Sequence, residues 1–507
     1  MADELKFWSD EIAAEILKDV NRKLIVNTGI TPSGEIHIGN LRETLTADTV
    51  YRSLKEKGAD VEFNYVADNY DPLRRVYPFL DEKVFTQYIG QPLSEIPCPC
   101  GKHGSYADHF LEPFLEALVI LGIKLTVVKN DEMYKQGLFD KNVILALKNR
   151  EKIARILHDE TGKEIESDWS PFNPICQKCK RLTKTTVKGF SEKDYTVDYS
   201  CECGDSATVK IAGGGKLTWR VDWPARWEIL KVSVEPFGKD HASKGGSYDT
   251  GKRICEEIFE YKAPYPIVYE WISLKGMGDM SSSKGNVISA RKMLEVLPPE
   301  VLRYSIIKTK PQKSIVFDPG LPIVNLMDEY DDANSKNRNE RAYKISMTEG
   351  YEPIGIPFRH IVTLVQIARD DVKQMAEILK ENGYSSPNMN VLKSRAVYAR
   401  KWIDNFAPDE VKFSIAEKLP MRAKDLNSLQ KKALLSLAQS LKEGMKGDEI
   451  HQLIYSLKET LNIDPNEIFK AIYISLLDKE KGPRAGMFLA MLDRDFVKKR
   501  FLEVAAG

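Results

Sequence analysis

Lys23-Leu24-Ile25-Val26-Asn27 runs into Thr28-Gly29-Ile30-Thr31-Pro32-Ser33-Gly34-Glu35-Ile36-His37-Ile38-Gly39-Asn40. A short apolar run ends in a turn dense in Gly, Pro and Ser. A helical pattern then extends from about Ile38 to Lys57, and Val61-Glu62-Phe63-Asn64-Tyr65-Val66 reads as the next strand. Strand, glycine turn, helix and strand in that order imply a parallel α/β sheet. Such sheets place ligands at the carboxyl ends of their strands, where residues 31–40 fall. The helix N-terminus offers free N–H groups and a positive dipole end to phosphates. Gly39 lets a flat base lie against the backbone. His37 can donate a hydrogen bond to phosphate oxygens whose charge grows in a transition state. The alternative for the same residues is a capped helix with an incidental histidine.

Working outward, Asp10–Val20 is helix-like, and the stretch from about Tyr88 to Gly215 breaks the strand–helix rhythm. It holds six of the seven cysteines and reads as an insertion. The rhythm returns at Leu217-Thr218-Trp219-Arg220-Val221 and Ser233-Val234-Glu235-Pro236-Phe237. A helix over Gly245–Phe259 and a strand at Ile267-Val268-Tyr269-Glu270 follow. From about Pro298 the pattern is helical, as in Arg359–Asn382, Leu426–Glu443 and Asp448–Leu461. The expected organisation is a split Rossmann-like α/β domain (1–90 and 215–297), an insertion (91–214), a helical connecting domain (298–350) and an all-α C-terminal domain (351–507). No repeat period marks a solenoid.

The chain has 507 residues, 42% of them hydrophobic, enough for several cores. Its 74 basic and 74 acidic residues exclude nucleic-acid binding through net charge, though not through a local basic face. The acidic start, Met1-Ala2-Asp3-Glu4-Leu5, lacks the positive region of a signal peptide. The apolar stretch Phe114–Leu125 is interrupted by Glu116 and Lys124 and is too short to span a bilayer. These features predict a soluble, cytoplasmic protein without membrane attachment, and cysteines that are metal ligands or buried thiols.

Cys176-x-x-Cys179 with Cys201-x-Cys203-Gly204 reads as a four-cysteine zinc ribbon, a closed and therefore structural site. Cys98-Pro99-Cys100-Gly101-Lys102-His103 with His109 offers two thiolates and two imidazoles, a possible second site. Cys255, in a helical stretch, is expected to be simply buried.

Gly278-Asp279-Met280-Ser281-Ser282-Ser283-Lys284-Gly285-Asn286 is rich in backbone donors, and Lys284 is a point charge suited to pyrophosphate. A flexible surface loop is the plainer alternative. Taken in order, about 240 residues apart, this segment and residues 31–40 resemble the two signature motifs of class I aminoacyl-tRNA synthetases. Asn40 stands where the first motif ends in His. Asp279 and Ser282 stand at both lysine positions of the second, leaving Lys284 as the nearest substitute. Gly238-Lys239-Asp240-His241 resembles the segment that holds the ATP ribose. The wider resemblance is to class I lysyl-tRNA synthetases and covers essentially the whole chain. It is carried by residues 28–34, Trp219-Arg220-Val221-Asp222-Trp223-Pro224-Ala225-Arg226-Trp227, Glu235 to Ser243 and Met280 to Asn286.

This resemblance implies a Rossmann-like catalytic domain with a zinc-bearing insertion and a helical anticodon-binding region. It implies ATP held by Pro32, Ser33, His37, Gly39, Asn40, Gly238, Asp240, Met280, Ser281, Ser283 and Lys284, with Mg²⁺. His37, Asn40 and Lys284 would stabilise charge during catalysis. An ammonium needs a carboxylate or an aromatic face, and Trp219, Asp222 and Tyr269 supply both; the resemblance adds Gly29, Thr31 and His241 to the L-lysine pocket. The implied reaction forms lysyl-adenylate and pyrophosphate, then transfers lysine to tRNA(Lys) with release of AMP, in a monomer. Arg484, in Gly482-Pro483-Arg484-Ala485-Gly486, could meet a base or lie in an ordinary turn. Rival readings are a glutamyl or arginyl enzyme of the same fold, a small adenylyltransferase, and a non-catalytic RNA-binding paralogue.

Overall fold

A computed structural model describes residues 7–18, 22–276, 278–280, 287–336 and 340–507 of the chain. Contacts divide it into two compact units. One comprises Met1–Leu294, Leu302–Phe317 and Arg341–Glu349; the other comprises Glu295–Val301, Asp318–Glu340 and Gly350–Gly507.

In the first unit, β1 (Leu24–Ile30), β2 (Val61–Ala67) and β3 (Thr126–Lys129) precede a small-strand region. That region contains β4 (Phe172–Pro174), β5 (Thr185–Ser191), β6 (Thr196–Cys201), β7 (Ser206–Lys210) and β8 (Gly215–Leu217). β9 (Val234–Gly238) and β10 (Tyr265–Tyr269) follow. Five strands form a parallel sheet in the order β10-β9-β1-β2-β3. Leu24 to Thr28 are all buried, as expected of a parallel strand covered on both faces. β3 comes from within residues 91–214 and pairs with β2.

The chain order reverses between β1 and β9. In an open α/β sheet this is where a crevice opens at the strand ends. The helix Ile38–Glu56, here α1, leaves the end of β1 and buries Ile38, Leu41 and Leu45 against the sheet. Beside the sheet, β5, β6 and β7 form an antiparallel ribbon, and β4 pairs with β8.

Two local expectations change. Leu217–Val221 was expected to be a strand, but the strand stops at Leu217 and a helix runs over Trp219–Ile229. The Thr218 carbonyl accepts both the Val221 and Asp222 N–H groups at 2.8 Å, which starts the helix. Five residues with scattered apolar positions fit either period. The helical pattern over Arg359–Asn382 is also two helices, Phe358–Ile367 and Val372–Glu381. Arg369 and Asp370 take left-handed φ angles of 49° and 68° between them. Asp371 then caps the second helix by accepting from Lys373 N.

The second unit continues with the helices Met389–Asn405, Ser428–Ser440, Gly447–Leu461, Pro465–Leu477 and Arg494–Ala506. Among the described residues no helix is long and apolar enough to cross a membrane.

Candidate active site and metal centres

The turn after β1 is shaped by His37. Its Nδ1 accepts the Gly39 N–H at 3.1 Å, and Asn40 Oδ1 accepts the His37 N–H at 3.2 Å. A Cβ at position 39 would lie 2.8 Å from the His37 ring, so only glycine permits this cap. Burial lowers the His37 pKa to about 4, leaving the imidazole neutral at pH 7. Since Nδ1 accepts, the proton resides on Nε2, which is thereby a donor. Ser33 is pinned by Tyr106, whose hydroxyl donates to its carbonyl at 2.8 Å. Pro32 is buried in the same turn. Met280 is brought beside Gly39, its Cε 3.3 Å from the position a Cβ there would take. Ser281, Ser283 and Lys284 lie outside the described residues.

At the end of β9, a Cβ on Gly238 would approach Asp240 Oδ1 to 2.5 Å. Asp240 itself is half exposed, with Oδ2 3.5 Å from His241 Nε2.

Between the ends of β1 and β9 lies a cavity of about 70 Å³. Gly29, Thr31, Trp219, Trp223 and His241 line it. Position 29 must be glycine, because a Cβ would meet Val66 O at 2.4 Å. Trp219 and Trp223, one helical turn apart, stack at 5.3 Å, and the Arg226 guanidinium lies 5.6 Å from the Trp219 ring centre.

Two residues that the sequence reading passed over also face this cavity: Glu43 and Glu235. Glu43 accepts from Thr28 Oγ1 at 2.6 Å, Gly29 N at 3.2 Å and Tyr269 Oη at 2.7 Å. Tyr269 therefore reaches the pocket through Glu43. Burial raises the Glu43 pKa to about 7, more than those three donors lower it. Glu235 accepts from Asn27 Nδ2 at 2.9 Å and from Trp227, and burial raises its pKa too. A buried carboxylate above its normal pKa favours a cationic ligand, which would restore its charge. Both residues carry a signal in hindsight. Glu43 lies one turn beyond Asn40 on α1, and Glu235 is the one charged residue in a strand that is buried throughout.

Asp222 does not line the cavity. It belongs to a buried charge network beneath it. Lys216 Nζ lies 2.8 Å from Asp71, 3.3 Å from Asp68 and 3.4 Å from Asp222. Arg226 reaches Asp68 and Asp222, each at 3.1 Å. Tyr134 donates to Asp222 at 2.6 Å. Burial pulls the Lys216 pKa down, but Asp222, Asp68 and Asp71 outweigh it and raise it. Burial pushes Asp68 up, yet Arg226 and Lys216 bring it to about 2. The network supports the pocket directly, since Asp71 Oδ2 accepts Thr31 Oγ1 at 2.9 Å.

Cys176, Cys179, Cys201 and Cys203 present their sulfurs within 4.8 Å of one another. Cys176 and Cys203 are 3.5 Å apart, and Cys179 and Cys201 are 3.7 Å apart. Four sulfurs about 2.3 Å from a tetrahedral zinc stand about 3.8 Å apart. In the second group, the Sγ atoms of Cys98 and Cys100 and the Nδ1 atoms of His103 and His109 have all six separations between 3.3 and 3.6 Å. That is a nearly regular tetrahedron with edges short enough for zinc–nitrogen and zinc–sulfur bonds. Glu112 stands 3.7 Å from His103 Nε2, where it can orient the ligand. Cys255 is buried.

In the helical unit, Arg484 is exposed at the head of the helix Ala485–Ala490. With Arg359, His360, Phe413 and Phe488 it borders a cavity of about 580 Å³.

Residues 6–352 match the family described as tRNA synthetases class I (K). A lysine–tRNA ligase of Methanosarcina barkeri is 51% identical over 532 residues, covering 100% of this chain and 98% of the relative. One from Archaeoglobus fulgidus is 46% identical over 495 residues, covering 97% and 99%. A solved structure of a glutamate tRNA ligase from Elizabethkingia meningosepticum, in complex with its amino acid, is 14% identical with a TM-score of 0.45, covering 96% and 99%.

Proposed function

The chain belongs to the class I tRNA synthetases for lysine and is an enzyme that attaches lysine to tRNA, and we propose that the cavity between β1 and β9 is where it selects the amino acid. The observation that carries this reading is Glu43. It faces a small aromatic cavity, and its three donors leave its charge incompletely compensated. An ammonium seated against it would return Glu43 to the ionised form. Glu235 and Asp68 add negative charge, and Arg226 is already engaged by Asp68 and Asp222. Trp219, His241, Gly29 and Thr31 also line the cavity.

ATP would lie over Gly39, its phosphates against the turn at Pro32 and Ser33, since the first N–H groups of α1 are engaged within the protein, Ile38 by the Ile288 carbonyl and Gly39 by His37 Nδ1. Gly238 and Asp240 would hold the ribose, and Met280 would flank the base. The lysine carboxylate attacks the α-phosphate and pyrophosphate leaves. The 2′-hydroxyl of the terminal ribose of tRNA(Lys) then takes the lysyl group and AMP leaves. In the first step the His37 Nε2–H and the Asn40 amide donate to oxygens that gain charge, and Lys284 meets the leaving pyrophosphate. Mg²⁺, bound with ATP, would supply positive charge against its phosphates. Both Cys/His groups fit Zn²⁺ in closed, structural sites, because each supplies four ligands and leaves no position open.

The domain roles follow: catalytic for 1–90 and 215–297, zinc-bearing for 91–214, connecting for 298–350 and anticodon-binding for 351–507. The cavity at Arg484 suits an unstacked base. The enzyme acts as a cytoplasmic monomer. The test is charging of tRNA(Lys) with each of the twenty amino acids, tRNA being present throughout. Lysine alone should be accepted; charging with glutamate or arginine, or with none, would overturn the assignment.

A further inference from the structure

Of the seven tryptophans in the chain, Trp271 alone is exposed, at 40%. Four of the others engage their indole N–H inside the fold. Trp8 donates to the Ile307 carbonyl, Trp219 to Ser247, Trp227 to Glu235 and Trp402 to the Pro319 carbonyl. The Trp271 N–H has no hydrogen-bond partner among the described residues. An indole nitrogen usually finds one when its ring is set in place.

The ring is set in place. Trp271 follows the end of β10, and the backbone around it is pinned to a neighbouring segment. The Glu270 N–H donates to the Pro311 carbonyl at 2.8 Å, and the Trp271 carbonyl accepts the Ile315 N–H at 3.2 Å. The Lys239 ammonium lies 5.2 Å from the ring centre and is itself held by Glu270 at 2.6 Å. A cation over an indole face is attractive even at an exposed site, so Lys239 steadies the ring.

The nitrogen edge of that ring lies at the nucleotide site. A Cβ at Gly238 would meet Trp271 Nε1 at 3.2 Å and Asp240 Oδ1 at 2.5 Å. Bare backbone at Gly238 is therefore flanked by a donor and an acceptor. An ionised carboxylate only accepts and an indole N–H only donates, whereas a hydroxyl does both. One hydroxyl can thus donate to Asp240 and accept from Trp271.

We propose that Trp271 is a further ATP-binding residue, its indole N–H donating to a ribose hydroxyl that Asp240 also holds. The proposal rests on the reading above that Gly238 and Asp240 receive the ribose. It adds selection for ribose over deoxyribose. A nucleotide lacking that hydroxyl leaves the N–H and the carboxylate without their shared partner, which is how a site rejects a missing group.

The experiment titrates ATP, 2′-deoxyATP and 3′-deoxyATP by calorimetry into the unaltered protein, Trp271→Phe and Asp240→Asn, without lysine or tRNA. Trp271→Phe keeps a ring face for Lys239 and removes the N–H. It should weaken ATP roughly three- to tenfold, the contribution of one neutral hydrogen bond. It should leave unchanged the analogue that lacks the shared hydroxyl and weaken the other as it weakens ATP. The thermal transition should stay at the parent's value, because the side chain is exposed. Unchanged ATP affinity, or equal weakening of all three nucleotides, would overturn the proposal. Asp240→Asn tests the reading beneath it. If that variant also binds ATP as the parent does, the ribose lies elsewhere; if it weakens ATP while Trp271→Phe does not, the role of Trp271 alone fails.

Discussion

The Tyr269 hydroxyl donates to Oε2 of Glu43 at 2.7 Å, although the two residues lie 226 positions apart in the chain. The bond ties the last residue of β10 to the first turns of α1 across the crevice. Through it a tyrosine outside the cavity wall holds a carboxylate that lines the cavity.

Replacing Glu43 with Gln should weaken lysine binding on the order of a hundredfold, because it removes the buried carboxylate that faces the ammonium. Tyr269→Phe should weaken it about tenfold, the loss of one hydrogen bond to a charged group. Trp219→Ala should fall between these values or exceed the second, since water would also enter. Lysine titrations with ATP affinity as the control would check this. Unchanged lysine affinity in all three variants would place the pocket elsewhere.

Lysine affinity should rise with pH through about 7 as Glu43 loses its proton. Glu235, also raised by burial, acts in the same direction, and His241, lowered by burial, is neutral over that range. The sign for stability is opposite. Because the folded-state pKa of Glu43 is raised, its contribution is full below its ordinary carboxylate range and is lost as pH rises through about 7. Calorimetric titrations in two buffers should show proton release on lysine binding that disappears in Glu43→Gln.

Lys216→Met leaves Asp68, Asp71 and Asp222 buried with Arg226 as their remaining cation in the network. The expected loss is about 3–5 kcal/mol, typical of breaking a buried pair on one side. It should appear as a lower thermal transition together with a higher KM for lysine, because Asp71 also positions Thr31. A variant as stable as the parent would show the network to be dispensable.

Metal analysis of purified protein should give two zinc ions per chain. Cys176→Ser and Cys98→Ser should each remove one and lower the thermal transition, with lysine affinity little changed. A stable, active, metal-free preparation would contradict this.

Lys284→Ala should slow adenylate formation by about 10²–10³ while sparing lysine binding, the usual cost of losing a preorganised donor. Pre-steady-state pyrophosphate release would measure it.

What the sequence made legible was local. Residues 24–40 announce a strand, a turn and a helix within one window, and Gly39 and His37 explain each other two positions apart. The spacing of Cys176, Cys179, Cys201 and Cys203 similarly foretold four sulfurs gathered within 4.8 Å of one another. Glu43, Glu235 and Lys216 were hidden for the opposite reason. Glu43 acquires meaning only when β9 docks against β1, some 200 residues along the chain. Lys216 looks like any lysine of a polar strand until β8, paired with β4, brings it to three carboxylates. The helix at Trp219 was misread because a short apolar run fits two periods. The break at Arg369 and Asp370 was missed because neither residue is a glycine.

One carboxylate of the cavity, Glu43, rises from α1, whereas its two stacked indoles come from the helix Trp219–Ile229. On the proposed reading, the carboxylate that meets the ammonium and the aromatic wall that bounds it therefore lie on separate pieces of chain. Enzyme engineers can exploit that division. Shortening Trp223 should enlarge the cavity while Glu43 and its donors stay in place, a route toward bulkier lysine analogues that keep their positive charge. Neutralising Glu43 with the indoles intact opens the opposite route, toward uncharged isosteres of the natural amino acid.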